Sequence, residues 1–172
     1  MTHEELVDLI RAAIDRPGGR WADLGAGTGN FTRALAELLG PDANLYAVDL
    51  DGAALSLLKH TWREPAELYT IPGDFTRPLD LPVFDGVLIA NALHFVGDQA
   101  AVLGYVAGNL RPGGRLVVVE YDQPMPWTPH PVPFDRLARL AAVAGLTPPR
   151  QVGTRQSPRT GIGMYAAVAD KP

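Results

Sequence analysis

The chain has 172 residues, of which 47% are hydrophobic and 20% are charged, and its formal net charge is −4. These values predict one globular domain, residues 1–172, without the basic excess of a nucleic-acid-binding surface. The absence of cysteine excludes disulfides and thiolate metal sites. No run reaches the roughly 20 apolar residues of a membrane span, and the acidic first residues lack a signal-like apolar segment. We therefore expect a cytoplasmic protein with neither a membrane nor a nucleic-acid partner.

The first half of the chain alternates helical and extended patterns. Thr2 and Glu5 fit a capping box before a helix whose apolar positions recur as far as Ile14. Residues 76–82 contain two prolines and no helical period, which predicts a loop. Between these segments, strands are predicted at 20–24, 45–48 and 67–71, and helices at 31–39 and after the capping residue Asp51.

The second half continues the alternation and then departs from it. A nearly continuous apolar run at 84–90 predicts a strand buried on both faces. The elements that follow are a helix capped by Asp98, a sharp turn at 111–114, a strand at 116–119, a helix at 134–145, and strands at 149–154 and 163–168. No helix pattern separates the last two strands. The sequence therefore predicts an α/β fold with a doubly wound, mostly parallel sheet and an antiparallel C-terminal strand.

A glycine-rich loop joins the first predicted β-strand to the next helix. Gly25, Gly27 and Gly29 stand at every second position. Glycine permits positive φ and lacks the Cβ that would hold a ligand away from the backbone, so this loop is typical of nucleotide sites. A dinucleotide fingerprint would need a glycine where Asn30 stands, which makes a nicotinamide dehydrogenase a weaker alternative. An ordinary tight turn is the other alternative.

Polar residues follow the ends of five predicted strands, and such ends meet at one edge of a parallel sheet. They are Asp23, Asp49, Asp74, Asn91 and Glu120. Asp49 lies about 20 residues beyond the glycine loop, where a carboxylate can bind both hydroxyls of a ribose, although it also suits a helix cap. Asp74 followed by Phe75 suits adenine, with a simple turn aspartate as the alternative.

Five motifs, in order along the chain, resemble the class I S-adenosylmethionine-dependent methyltransferases. They are D-L-G-A-G-T-G at 23–29, A-V-D-L-D at 47–51, G-D-F at 73–75, F-D-G-V-L-I-A-N-A-L-H-F at 84–95 and L-R-P-G-G-R-L-V-V-V-E at 110–120. The resemblance implies a Rossmann-like fold, S-adenosylmethionine as cofactor, and methyl transfer as the activity.

The resemblance also assigns roles to individual residues. The cofactor-binding set is Asp23, Gly25, Gly27, Asn91, Asp49, Leu50, Asp74 and Phe75. His94 is the candidate general base if the acceptor must lose a proton, because an imidazole titrates near neutrality. Simple packing beside Leu93 and Phe95 is the alternative for His94. Glu120 and Tyr121, expected at the pocket mouth, are candidate acceptor contacts, and no metal site is expected.

The acceptor is predicted only as a class. Ala92 follows Asn91 where amino-methylating enzymes carry Pro-Pro, so we expect a small-molecule acceptor. Few residues precede the glycine loop, so segments 1–14, 123–133 and 155–160 must cover the acceptor. If they leave the pocket open, the alternative is a non-catalytic S-adenosylmethionine-binding module or a subunit that needs a partner. The arginines Arg150, Arg155 and Arg159 either meet an anionic acceptor or are solvated. The oligomeric state stays open.

Overall fold

A computed structural model of the chain describes residues 1–156 and 161–172. The described helices are α1 (His3–Ile10), α2 (Asn30–Leu39), α3 (Gly52–His60), α4 (Gln99–Asn109) and α5 (Phe134–Val143). The described strands are β1 (Gly19–Leu24), β2 (Ala43–Asp49), β3 (Glu67–Pro72), β4 (Phe84–Ala90), β5 (Leu110–Tyr121), β6 (Arg150–Gln156) and β7 (Gly163–Asp170). These strands form one seven-stranded sheet in the order β3-β2-β1-β4-β5-β7-β6.

The sheet confirms the predicted α/β fold. Strands β1 to β5 pair in parallel, whereas β7 runs antiparallel to both β5 and β6. The chain first moves outward from β1 through β2 to β3, and then returns to place β4 on the other side of β1. The strand order therefore reverses between β1 and β4, and a crevice opens at the carboxyl ends of these two strands.

Three of the predicted helix starts are confirmed by their side-chain caps. Thr2 accepts a hydrogen bond from the Glu5 amide at 3.2 Å, and Glu5 accepts one from the Thr2 amide at 2.9 Å. Asp51 and Asp98 cap α3 and α4 with their carboxylates. The first helix is shorter than its apolar period predicted, because α1 ends at Ile10 and the chain continues as a 3-10 turn.

Both faces of the sheet are buried, which explains the continuous apolar run of β4. On one face, Leu35 of α2 and Ile10 of α1 belong to a core cluster that includes Val117. On the other face, Leu103 of α4 and Leu137 of α5 belong to a cluster with neighbouring β4 and β5 residues. Alternate residues of one strand therefore enter different core layers.

The predicted turn at 111–114 lies inside β5. Phe84 pairs with Leu110 and Gly86 pairs with Arg115, so these four residues stand opposite Asp85 alone. The Nε atom of Arg111 donates to Asp85 at 2.6 Å and holds this excursion against β4. The predicted turn is therefore present, but it is a bulge within β5 and does not precede the strand as expected.

Candidate active site

A cavity of about 940 Å³ lies where β1 and β4 end, within the size range of small-molecule sites. One wall comes from the glycine loop and the strand ends, with Asp23, Gly25, Ala26, Gly27, Ala90 and Asn91. The other wall is mainly aromatic and apolar, with Phe31, His94, Phe95, Tyr121, Trp127 and Met164. Among residues 1–156 and 161–172, no lysine or arginine lines the cavity.

The three loop glycines are required for different reasons. All three have positive φ. A Cβ at Gly25 would overlap the Cβ of Ala92, and a Cβ at Gly29 would overlap the side chain of Leu58. A Cβ at Gly27 would meet nothing within 4 Å among the described residues. Packing therefore fixes Gly25 and Gly29, while Gly27 presents bare backbone to the cavity.

Asp23 is a buried carboxyl group on the cavity wall. Its side chain is only 2% exposed, and Oδ2 accepts a hydrogen bond from the Thr32 hydroxyl at 2.6 Å. Burial raises the pKa of Asp23 from 3.8 to about 7; the nearby Asp49 carboxylate also raises it, and the Thr32 bond lowers it. A cation in the cavity would favour the ionised form, so Asp23 suits a positively charged ligand group.

Asn91 combines backbone strain with an unsatisfied polar atom. Its φ is +51°, in the left-handed region that non-glycine residues rarely occupy. Its amide donates to the Val119 carbonyl at 2.8 Å, which fixes the residue at the end of β4. Its side-chain Oδ1 is buried and has no hydrogen-bond partner within the described part of the chain. Because an unpaired buried acceptor is costly, Asn91 suits a ligand that donates a hydrogen bond.

Asp49 and Asp74 lie at the same sheet edge but do not line the cavity. The two carboxylate oxygens of Asp49 accept from the amides of Gly27 at 2.7 Å and Asp51 at 2.8 Å. One oxygen of Asp74 accepts from the Thr76 hydroxyl at 2.6 Å and the Thr76 amide at 3.0 Å, and these bonds lower the pKa of Asp74. Asp74 therefore has the geometry of a turn aspartate, and the ribose and adenine roles stay predictions.

The two apolar residues expected near adenine flank the same region. Leu50 follows Asp49 and is 73% exposed, which is high for a large apolar side chain. The Phe75 ring lies 3.4 Å from the position that a Cβ on Gly25 would occupy. Neither residue lines the cavity, so their contacts with adenine also stay predictions.

His94 lines the cavity from a 3-10 turn, Leu93–Phe95, just after β4. It is 3% exposed, and its ring centroid lies 4.2 Å from that of Phe95, so the predicted packing is present as well. Its Nδ1 lies 2.8 Å from Oε2 of Glu120, and its amide donates to Oε1 at 3.0 Å. His94 is thus fixed by a single carboxylate.

The expected position of Glu120 at the pocket mouth is wrong. Glu120 is 1% exposed and lies behind His94, because its side chain is on the sheet face that packs against α4 and α5. Tyr121, one residue later, does line the cavity. Its ring centroid lies 6.0 Å from that of His94 and 6.3 Å from that of Trp127. Acceptor contact by Tyr121 stays a prediction.

Two of the three predicted covering segments contribute to the cavity. Met1 and Leu6 line it from the N-terminal segment, and Trp127 lines it from the proline-rich loop. Sequence reasoning had not singled out Trp127, although a tryptophan in a proline-dense loop after a strand end is a usable signal. In the third segment, Arg155 forms an ion pair with Glu5 at 3.4 Å, away from the cavity wall.

Of the two alternatives for the arginines, contact with an anionic acceptor has no support in the described residues. Neither Arg150 nor Arg155 lines the cavity. Arg159 lies outside the described residues, as does the rest of the turn at 157–160.

Comparison with known proteins assigns the fold to a family. The family model described as "Methyltransferase domain" matches residues 22–118. Demethylmenaquinone methyltransferase of Beutenbergia cavernae is 38% identical over 143 residues, covering 80% of this chain and 55% of that protein. The ubiquinone/menaquinone biosynthesis C-methyltransferase UbiE of Vibrio cholerae is 29% identical over 114 residues, covering 64% and 44%. The chain thus spans about half the length of these two relatives.

A solved structure shows the same fold over nearly the whole chain. It is the 1,6-didemethyltoxoflavin-N1-methyltransferase of Burkholderia thailandensis, crystallised with 1,6-didemethyltoxoflavin and S-adenosylhomocysteine. The TM-score is 0.72 at 23% sequence identity, and the match covers 98% of this chain and 77% of that one.

Proposed function

Because this chain belongs to the family of methyltransferase domains, we propose that it transfers a methyl group from S-adenosylmethionine to a small-molecule acceptor. The observation that carries the proposal is the wall beside Gly27. There, two groups border one cavity: a buried carboxyl group on Asp23, and an acceptor on Asn91 that has no partner among the described residues. These two groups are complementary to the cationic, hydrogen-bond-donating ammonium of a methionine moiety.

We propose that the chain's own residues hold this cofactor in the roles that the motifs imply. Asp23 and Asn91 would hold the methionine end, and Gly27 would let it approach the backbone. Asp49 would hold the ribose hydroxyls with its remaining lone pairs. Leu50 and Phe75 would pack on the adenine, and Asp74, already bonded to Thr76, would add little to adenine binding. When bound, S-adenosylmethionine supplies a methyl group on a positively charged sulfur that departs with the electrons of the broken bond. The protein then mainly positions the acceptor.

The aromatic wall supports an uncharged acceptor of largely apolar character. With no lysine or arginine among the described lining residues, a phosphate or carboxylate on the acceptor would have no counter-ion there. Phe95 is 65% exposed and Trp127 is 45% exposed, so two aromatic side chains border the opening. The names of the two relatives, which refer to demethylmenaquinone and to ubiquinone/menaquinone biosynthesis, agree with an apolar small-molecule acceptor.

The alternative of a non-catalytic binding module is not favoured. It depended on an uncovered acceptor side, whereas Met1, Leu6 and Trp127 contribute to that side of the cavity.

We further propose that residues 1–172 act as one domain, without a metal, in the cytoplasm. Within residues 1–156 and 161–172, none of the helices combines the length and apolar character that crossing a bilayer requires.

A methyl-transfer experiment tests the proposed function. The protein and methyl-tritiated S-adenosylmethionine would be incubated in three separate reactions. Each reaction would contain one fraction of a cell extract: small molecules, protein or nucleic acid. We expect label to enter the small-molecule fraction only. Label in protein or nucleic acid would contradict the proposed acceptor class, and cofactor binding without transfer to any fraction would support the non-catalytic alternative.

A further inference from the structure

Within residues 1–156 and 161–172, both hydrogen bonds of the Glu120 carboxylate are made with one residue, His94. Oε1 accepts from the His94 amide at 3.0 Å, and Oε2 lies 2.8 Å from Nδ1 of the same residue. Glu120 is 1% exposed, and His94 is 3% exposed. A buried carboxylate needs hydrogen-bond donors for both of its oxygens. The His94 amide serves Oε1, and an Nδ1–H group of a neutral imidazole serves Oε2.

The backbone around His94 is held so that the imidazole stays in this orientation. The His94 carbonyl accepts from the His130 amide at 3.0 Å. Gln99, which is 1% exposed, donates to the Leu93 carbonyl at 3.1 Å and to the His130 carbonyl at 2.7 Å. Gln99 therefore ties the turn that carries His94 to the proline-rich loop.

The other ring nitrogen of His94, Nε2, is available to a ligand in the cavity. No hydrogen bond to His94 Nε2 is formed within the described part of the chain, and His94 lines the cavity wall. With the proton on Nδ1, Nε2 carries a lone pair, which is the form of histidine that accepts a proton.

We propose that Glu120 is a positioning residue that keeps the proton of His94 on Nδ1, so that Nε2 removes a proton from a hydroxyl group of the acceptor. This inference rests on the proposed function. In the step, the O–H bond of the acceptor breaks and its proton bonds to Nε2. The electron pair stays on the acceptor oxygen, which becomes the nucleophile. Glu120 balances the positive charge on the imidazolium until the proton is released to solvent.

The surrounding wall narrows the acceptor to a hydroxyl group on an aromatic ring. Phe95 and Tyr121 provide flat apolar surfaces next to His94, and Trp127 lies against Tyr121 on the same cavity wall. Aromatic rings pack favourably against such surfaces, and an aromatic hydroxyl is acidic enough for an imidazole to deprotonate. A thiol on the same ring would be ionised already and would not need the base.

The tautomer of His94 tests the proposal without cofactor or acceptor. Long-range ¹⁵N–¹H spectra would resolve the imidazoles of the four histidines, with His94→Gln identifying the relevant signals. We expect a proton on Nδ1 in the wild-type protein. In Glu120→Gln, the amide group would donate to Nδ1, and the proton should move to Nε2. A wild-type proton on Nε2, or an unchanged tautomer in Glu120→Gln, would overturn the proposal. Asp122→Asn, which removes a neighbouring carboxylate, should leave the tautomer unchanged.

A matched pair of acceptors tests the catalytic consequence. With 1-naphthol, we expect kcat to fall at least about 100-fold in His94→Gln and Glu120→Gln, with little change in KM. With 1-naphthalenethiol, we expect kcat to fall less than about threefold, because an ionised thiol needs no base. Equal losses with both acceptors, or wild-type transfer to the thiol but not to 1-naphthol, would overturn the proposal. If wild-type protein does not bind S-adenosylhomocysteine, the proposed function is refuted instead. The tautomer experiment would remain valid, because it uses neither cofactor nor acceptor.

Discussion

The two halves of the sheet's carboxyl edge use similar residues in opposite ways. In the β2–β3 half, Asp49 accepts from two backbone amides and Asp74 accepts from Thr76. In the β1–β4 half, Asp23 has one hydrogen bond from Thr32, and Oδ1 of Asn91 has none among the described residues. A strand-end polar residue can therefore stabilise the local fold or bind a ligand. Residues that keep unused hydrogen-bonding capacity are the ones we expect to bind a ligand.

The glycine loop should give the largest difference in stability between a residue that the fold requires, Gly29, and a residue that the ligand requires, Gly27. Gly29→Ala should lower the free energy of unfolding by about 2–5 kcal/mol, because the new methyl overlaps Leu58 and the residue has a φ of +87°. Gly27→Ala, with open space around its Cβ, should cost only about 1–2 kcal/mol. Urea denaturation measures both values. Equal losses would show that the two glycines do not differ in this way.

Asp23 should destabilise the ligand-free protein at neutral pH. Its folded-state pKa of about 7 lies above the unfolded value of 3.8, so the unfolded chain releases the proton first. The free energy of unfolding should therefore fall as the pH rises from about 4 to about 7. Asp23→Asn should flatten this dependence and add up to about 4 kcal/mol at pH 8, while weakening cofactor binding. Denaturation at several pH values measures it, and an unchanged slope in Asp23→Asn would contradict the assignment.

Asp49 tests whether a satisfied carboxylate still binds ligand. Asp49→Ala should weaken cofactor binding by roughly 1.5–3 kcal/mol, because a charged hydrogen-bond acceptor is lost and the Gly27 amide loses its partner. Calorimetric titration with S-adenosylhomocysteine measures this change. Asp51→Ala, which removes only the cap of α3, is the control and should leave the affinity within about twofold. If Asp49→Ala binds as tightly as wild type, Asp49 is not part of the site.

Asp74 should give the smallest effect. Since Thr76 already occupies one carboxylate oxygen, we expect Asp74→Asn to change the cofactor affinity by less than about threefold. The same titration measures it. A loss of more than about tenfold would show that Asp74 contacts the cofactor despite its turn geometry, and would remove the distinction between the two halves of the edge.

The sequence predicted the parts that carry local signals. The alternation of apolar runs and helical periods predicted the α/β sheet, since each element's burial pattern repeats within a few residues. The glycine loop and Asp23 were predicted because one short segment contains both. The capping residues Thr2, Asp51 and Asp98 were predicted for the same reason, because a cap and its helix are neighbours in sequence.

The remaining features depend on long-range contacts. Glu120 was predicted at the correct edge but in the wrong surroundings, because the direction of its side chain depends on which core layer each face of β5 meets. Its partner His94 is 26 residues away. Trp127 reaches the cavity because the loop is tied to the His94 turn by the His130 amide, which no local pattern encodes. The bulge at 111–114 likewise depends on Asp85 across the sheet.

The central claim is that the cavity beside Gly27 binds S-adenosylmethionine. Isothermal titration of the folded protein with S-adenosylhomocysteine, in wild type and in Gly27→Ala, tests it most directly. The account predicts one binding site in wild type and at least tenfold weaker binding in Gly27→Ala, whose fold is retained. An absence of binding by folded wild-type protein, or equal affinity in the two proteins, would contradict it.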